Sequence, residues 1–326
     1  MERLVEKVIN LNYNDIENYK FPIDEFIGLK VIKNNVKYEF LLKLTDINKL
    51  ICFGSGAVRR VGPGSIEPPV FNRYSWNVYF EESLIFYNDP TRYLNDEITI
   101  GWCVGTENDY YLETIADIIE KIVKSYNSIF EKQMKNSDIL FTGSSGGGFT
   151  SIMLATMIKG SKVLVDNSQL FIKNYHDFLV DRLKKASFGE LSDEIIFNEY
   201  GYRLDVLKMF KKQEYIPRIR YYVNINSDTD INDHCMPFIK GLEELHYYTE
   251  ENKIEIIIYS GDSGHHPMNN ADTIENIRNM LYGDYEHVKE NIRLNNIVNK
   301  YKSRKIVKFA NKLIKIKNSF LKIFHN

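Results

Sequence analysis

The residues best suited to do chemistry surround Ser145, in Gly143-Ser144-Ser145-Gly146-Gly147. This Gly-x-Ser-x-Gly pattern follows the apolar run Ile139-Leu140-Phe141 directly and precedes the stretch Thr150–Met157. Strand, sharp turn and helix is the context of a nucleophile elbow, in which a strained turn exposes the serine hydroxyl. A serine hydroxyl is a poor nucleophile at neutral pH. It needs a base to take its proton and a carboxylate to hold that base in the right tautomer.

In such a fold the expected chain order is Ser, acid, His. Downstream of Ser145, the segment Gly261-Asp262-Ser263-Gly264-His265-His266-Pro267 follows the strand-like run 254–259. His265, directly after a glycine, is the expected base. His266, whose conformation Pro267 restricts, is the reserve. Paired histidines in a Gly-rich loop also read as merely exposed, and it is Ser145 upstream that favours the catalytic reading. For the acid, Asn224-Ile225-Asn226-Ser227-Asp228-Thr229-Asp230 lies just past the strand-like run 220–225. Asp228, the earliest carboxylate, is the first choice, with Asp230 and Asp166 in reserve; Asp230 and Asp233 also read as caps for a helix starting near His234. The oxyanion of a tetrahedral intermediate would be held by the amide of Gly146 and by that of Ser55 or Gly56, after the early strand Leu50–Phe53. Arg59, Arg60 and Arg73 read either as binders of an acidic substrate or as solvent-facing charges.

Several chemistries find no pattern here. No metal site is expected, because Asp233, His234, His246 and the His265-His266 pair lack a zinc spacing. The stretch Gly143–Gly148 lacks the Lys-Ser/Thr ending of a P-loop, and no G-x-G-x-x-G follows an early strand. No cofactor is therefore expected. Cys52, Cys103 and Cys235 are odd in number and far apart, so free buried thiols are expected in a reducing cytoplasm.

The elements that must position these residues alternate. A hairpin is expected over residues 26–44 around Lys33-Asn34-Asn35, then strands near 50, 84 and 98, a helix over 110–132, the elbow, a strand at 162–166 and two further strand-helix pairs. That sequence predicts an α/β protein with a doubly wound, mostly parallel sheet. The domain reading is an N-terminal extension over 1–47 with the hairpin, a main domain over 48–282 interrupted by a helical insertion at about 170–215, and a tail over 283–326. With 326 residues, 44% hydrophobic and 26% charged, the composition is globular and requires no second full-size domain.

Charge is unevenly placed. From Lys300 onward there are nine Lys or Arg and no acidic residue, leaving 33 basic against 44 acidic residues in the rest. An acidic body argues against nucleic acid as a partner. In the tail, Ile306, Phe309, Leu313, Ile316 and Phe320 recur at helical spacing among lysines, which reads as a basic amphipathic helix. Residues 300–326 would suit an anionic membrane surface or, more commonly, packing on protein. The chain shows no run long enough to span a membrane and no secretory leader, so a cytoplasmic protein, peripheral at most, is expected. Oligomeric state is not legible.

Beyond the elbow, Pro69–Trp76, Asn88-Asp89-Pro90-Thr91 and Gly101-Trp102-Cys103-Val104-Gly105 together give a more particular likeness. The chain resembles α/β-hydrolase-like proteins of bacterial capsule and surface-glycan biosynthesis, including the accessory secretion glycan O-acetyltransferase-like proteins, over about residues 50–282. The resemblance implies a serine esterase or O-acyltransferase, with an acylated small molecule or glycan as its partner. The alternative is a non-catalytic accessory protein that keeps the scaffold and binds a glycosyltransferase or glycan.

Overall fold

A computed structural model describes residues 1–247 and 252–283. The expected basic helix at 300–326 lies outside the described residues. Nine strands form one sheet in the order β1-β2-β3-β5-β4-β6-β7-β8-β9. The first three, β1 (Val8–Asn12), β2 (Phe26–Lys33) and β3 (Val36–Lys43), build one edge. β2 and β3 are the expected hairpin, turning at Asn34 and Asn35, which both take positive φ, as a two-residue hairpin turn requires. β3 then pairs antiparallel with β5 (Ser83–Tyr87), so the hairpin is continuous with the main sheet.

From β5 onward every pairing is parallel, through β4 (Leu50–Phe53), β6 (Ile139–Ser144), β7 (Lys162–Ser168), β8 (Arg218–Asn224) and β9 (Ile254–Tyr259). Central strands of such a sheet are covered on both faces and read as continuous apolar runs rather than alternating ones. Leu50 to Phe53 and Ile139 to Phe141 are buried without exception. Helix α1 (Tyr111–Ile129) buries Leu112, Ile115, Ile119 and Ile122 at three- and four-residue steps, while Glu113, Asp117, Glu120 and Lys124 are exposed. That stripe is what holds it to the sheet. Helix α2 (Ser145–Met157) is buried nearly all round, as a helix at the centre of the molecule must be.

The insertion between β7 and β8 contains α3 (Asp177–Phe188), α4 (Asp193–Glu199) and α5 (Val206–Gln213). Its two ends are clasped: Phe171 bridges Asp205, the Ile172 amide donates to the Leu204 carbonyl, and the Val206 amide donates to the Leu170 carbonyl. This clasp encloses residues 172–204 of the helical insertion expected at about 170–215. Helix α5 packs beside α2, buries Val206, Met209 and Phe210, and serves as the ordinary crossover helix into β8. The chain continues through a helical segment over 228–242, which contains a π-helical turn at Asp230–Cys235 and ends in α6 (Met236–Leu242), and closes with α7 (Asn270–Tyr282). Residues Met1–Leu281 form one compact unit. Cys52, Cys103 and Cys235 are free and buried. Among the described residues no helix is long and apolar enough to cross a membrane.

Candidate active site

Parallel strands all point their carboxyl ends to one edge, and the loops there are where α/β proteins gather reactive groups. Five such ends supply this site: β4, β6, β7, β8 and β9. At the end of β6, Ser145 takes φ +56°, a left-handed conformation that is unusual and costly for a residue with a side chain. The surrounding glycines permit it. A Cβ on Gly143 would lie 2.5 Å from the backbone of Gly147, and one on Gly147 would lie 2.5 Å from the Gly54 carbonyl oxygen. Strand, elbow helix and the loop after β4 therefore touch backbone to backbone. The Ser145 carbonyl accepts the Gln169 amide at 3.2 Å, which ties the elbow to the end of β7.

A cleft lined by Ser145, Ser144, Gly56, Asn72, Arg73 and His265 lies above the elbow. His265 enters from the β9 loop, with 41% of its side chain exposed, and its Nδ1 lies 2.8 and 2.9 Å from the two carboxylate oxygens of Asp230, whose side chain is 1% exposed. A carboxylate on Nδ1 fixes the proton there and leaves Nε2 as the acceptor. This bond is the main reason that the His265 pKa is raised above its ordinary value, against the opposing effect of burial.

Asp228, the first-choice acid, is exposed, and the structure does not bring it to His265; Asp230 stands there instead. The reason is helical geometry. Helix begins at residue 228, and at about 100° per residue two positions apart face nearly opposite directions. With Asp228 outward, Asp230 is carried inward, on the wide π-turn that often marks a functional site. The other reserves also have definite places. Asp166, fully buried at the end of β7, accepts the Met268 amide at 3.0 Å and sits 3.6 Å from Arg73. Burial raises its pKa, and Arg73 opposes that rise. Asp166 thereby anchors the chain just after the histidine pair. His266 is exposed, and its carbonyl accepts from Asn167 Nδ2 at 2.5 Å and Tyr259 Oη at 3.1 Å.

Around the oxyanion position, Gly146 is buried in the first turn of α2, where backbone N–H groups have no partner within the helix. The Gly56 amide, in contrast, donates to Asn72 Oδ1 at 3.0 Å, so it is already engaged. Ser55 Oγ donates to the Val70 carbonyl and accepts the Asn72 amide, which shapes the loop and leaves the Ser55 N–H as the second amide of this loop. Of the three arginines, Arg60 is buried against Glu67 and Asp96, and Arg59 reaches the Pro63 carbonyl. Only Arg73 lines the cleft. Its Nη2 donates to Ser144 Oγ at 3.2 Å, its guanidinium stacks 4.8 Å from the Trp76 ring centroid, and its backbone is left-handed at φ +62°.

Sequence reasoning missed the polar scaffold beneath the histidine loop. Asn224, fully buried at the end of β8, donates through Nδ2 to the carbonyls of Asp262 and Gly264, and its Oδ1 accepts the Gly261 amide. Asn167 donates to His266 and accepts the Asn224 amide. A buried asparagine at two successive strand ends is the one signal that could have found them.

No protein-family model matches the sequence, and no curated protein matches it. Solved structures do. A capsule O-acetyltransferase of Neisseria meningitidis serogroup A superposes with TM-score 0.56 at 16% identity, over 77% of this chain and 93% of that one. A fluorophosphonate-binding serine hydrolase F of Staphylococcus aureus superposes with TM-score 0.52 at 14% identity, over 80% and 99%. The chain has the α/β-hydrolase fold. In this fold the strand preceding the elbow, the strand preceding Asp230 and the strand preceding His265 are the fifth, seventh and eighth once the extra edge strand β1 is set aside, the strands after which the fold places Ser, acid and His.

Proposed function

We propose that this protein is a serine-dependent acyl hydrolase or O-acyltransferase, with Ser145 as nucleophile, His265 as general base and Asp230 as the orienting carboxylate. The observation that carries the reading is the Asp230–His265 pair, set at one cleft with an elbow serine in a strained left-handed turn. His265 Nε2 takes the Ser145 proton as Oγ bonds to the acyl carbon. The amides of Gly146 and Ser55 hold the resulting oxyanion. The bond from carbon to the leaving alcohol then breaks, and His265 returns the proton to that alcohol's oxygen. Water or a second alcohol, deprotonated by the same histidine, then bonds to the acyl carbon, the bond from that carbon to Ser145 Oγ breaks, and His265 returns the proton to Oγ. The chain's own residues complete this cycle with no cofactor in any step.

The ester is proposed to belong to surface-glycan biosynthesis. Support for that half of the reading is the resemblance carried by Pro69–Trp76, Asn88–Thr91 and Gly101–Gly105, together with a capsule O-acetyltransferase of the same fold.

The test is reaction of purified protein with a fluorophosphonate probe, read by intact mass. Wild type should gain one phosphonyl adduct, and Ser145→Ala and His265→Ala should gain none. A folded wild type that takes no label would overturn the enzyme reading and favour an accessory scaffold.

A further inference from the structure

A second cavity, of about 640 Å³, opens beside the cleft, between the start of the insertion and the helical turn after β8. This is ordinary small-ligand size. His265 and Asp230 line it, whereas Ser145 does not; Tyr175 and His265 are shared by the two spaces. The cavity is therefore continuous with the cleft through Tyr175 and His265, and a group larger than the reacting ester would extend into it. Its walls are of two kinds. Tyr175 is held edge-on to Trp102 with ring centroids 5.4 Å apart, and Trp102 is itself pinned by a bond from Nε1 to Gln169 Oε1 at 2.6 Å. His176 leans on Tyr175 at 4.6 Å, and Phe178 is 64% exposed. These rings offer flat apolar faces. Between them stand Asp177 and Asp233, neither in an ion pair among the described residues, and no Lys or Arg lines the cavity. His234 adds no compensating charge: burial holds its pKa down at about 4, and its Nδ1 accepts the Leu170 amide at 3.3 Å.

Asp177 is exposed and Asp233 half-buried, and two carboxylates with no cation beside them oppose an anion. They are also strong acceptors for hydroxyl hydrogens. A long acyl chain offers them no donor. A ring with apolar faces and a rim of hydroxyls satisfies both kinds of wall.

We propose that this cavity is the alcohol subsite and takes an uncharged carbohydrate ring, stacked against Phe178 and Tyr175 and donating hydroxyls to Asp177 and Asp233, while rejecting sugars that carry phosphate or carboxylate. The proposal rests on the acyl-transfer reading above and adds the alcohol's charge and seat.

It is tested by acetate release from 3-O-acetylglucose, from its 6-phosphate and from 4-nitrophenyl acetate. Wild type should favour the neutral sugar ester over the phosphorylated one by at least about tenfold in kcat/KM, and the Asp177→Asn/Asp233→Asn double variant should narrow that to under about threefold. Phe178→Ala should lower kcat/KM for the neutral sugar ester relative to 4-nitrophenyl acetate by about tenfold. Fluorophosphonate labelling of each variant reports that its centre is assembled. A labelled wild type that accepts the two sugar esters equally, or prefers the phosphate, would overturn the subsite alone. A wild type that takes no label would overturn the acyl-transfer reading and the subsite with it.

Discussion

Asp228 and Asp230 stand two residues apart on one helical turn and face different worlds: one is exposed to water, and the other is buried with both oxygens on His265 Nδ1. Replacing the buried one removes the group that holds the imidazole tautomer. Asp230→Asn should lower kcat for ester hydrolysis by about 10³- to 10⁴-fold, whereas Asp228→Asn should stay within about twofold, as for an ordinary surface change. Steady-state kinetics on 4-nitrophenyl acetate separates the two; a large loss in Asp228→Asn alone would return the acid to that residue.

The pH profile follows from the same pair. In the proposed reaction His265 acts as base only when neutral, and its bond to Asp230 raises its pKa above the ordinary 6.5. Activity should therefore fall as pH drops through a value above 6.5, and in Asp230→Asn the residual activity should show that limb shifted to lower pH. A kcat/KM profile from pH 5 to 9 reads both. The stabilising effect of the pair has its own sign: it is complete below 6.5 and declines as pH rises through the higher folded value.

His234 predicts the reverse dependence. Its folded pKa is depressed to about 4 from 6.5, so between those values the unfolded chain binds a proton that the native state excludes. Stability should drop as pH falls through that window. Urea midpoints at pH 7 and pH 5 should differ less in His234→Phe than in wild type, even though the variant also loses the bond to the Leu170 amide.

Gly147→Ala tests the backbone packing of the elbow. Its new methyl would meet the Gly54 carbonyl oxygen at 2.5 Å, with no flexible side chain to yield. A loss of stability at the upper end of single substitutions, about 4 kcal/mol or more, is expected, visible as a Tm reduced by more than about 8 °C. A Tm near that of wild type would mean that the elbow and the β4 loop move apart freely.

Asn167→Ala addresses the scaffold of the histidine loop. It removes the donor to the His266 carbonyl and the acceptor of the Asn224 amide, so the labelling rate by fluorophosphonate should fall about 10- to 100-fold while Ser145 remains in place. An unchanged rate would show that Asn224 and Asp166 hold the loop unaided.

How much of this was legible depended on the range of the interactions involved. The elbow could be read because its requirements are local: a strand, a turn without side chains and a helix within about twenty residues. His265 could be read because a strand and its loop are contiguous. The choice between Asp228 and Asp230 could not be made without knowing at which residue the helix begins, since one position of slip moves a side chain by about 100°. Asn72, Arg73, Asn167 and Asn224 act on residues distant in the chain, as with Arg73 on Ser144 and Asn167 on His266. No periodicity announces such contacts. Gly56 was a plausible oxyanion donor by position, and only the folded loop shows its amide given to Asn72.

The clasp at Phe171 and Asp205 has a further consequence. Because the insertion leaves and rejoins the main chain path through one pair of adjacent backbone segments, its length does not set the register of β7 against β8. Tyr175, His176, Asp177 and Phe178 all lie inside that clasp, whereas Ser145, Asp230 and His265 lie outside it.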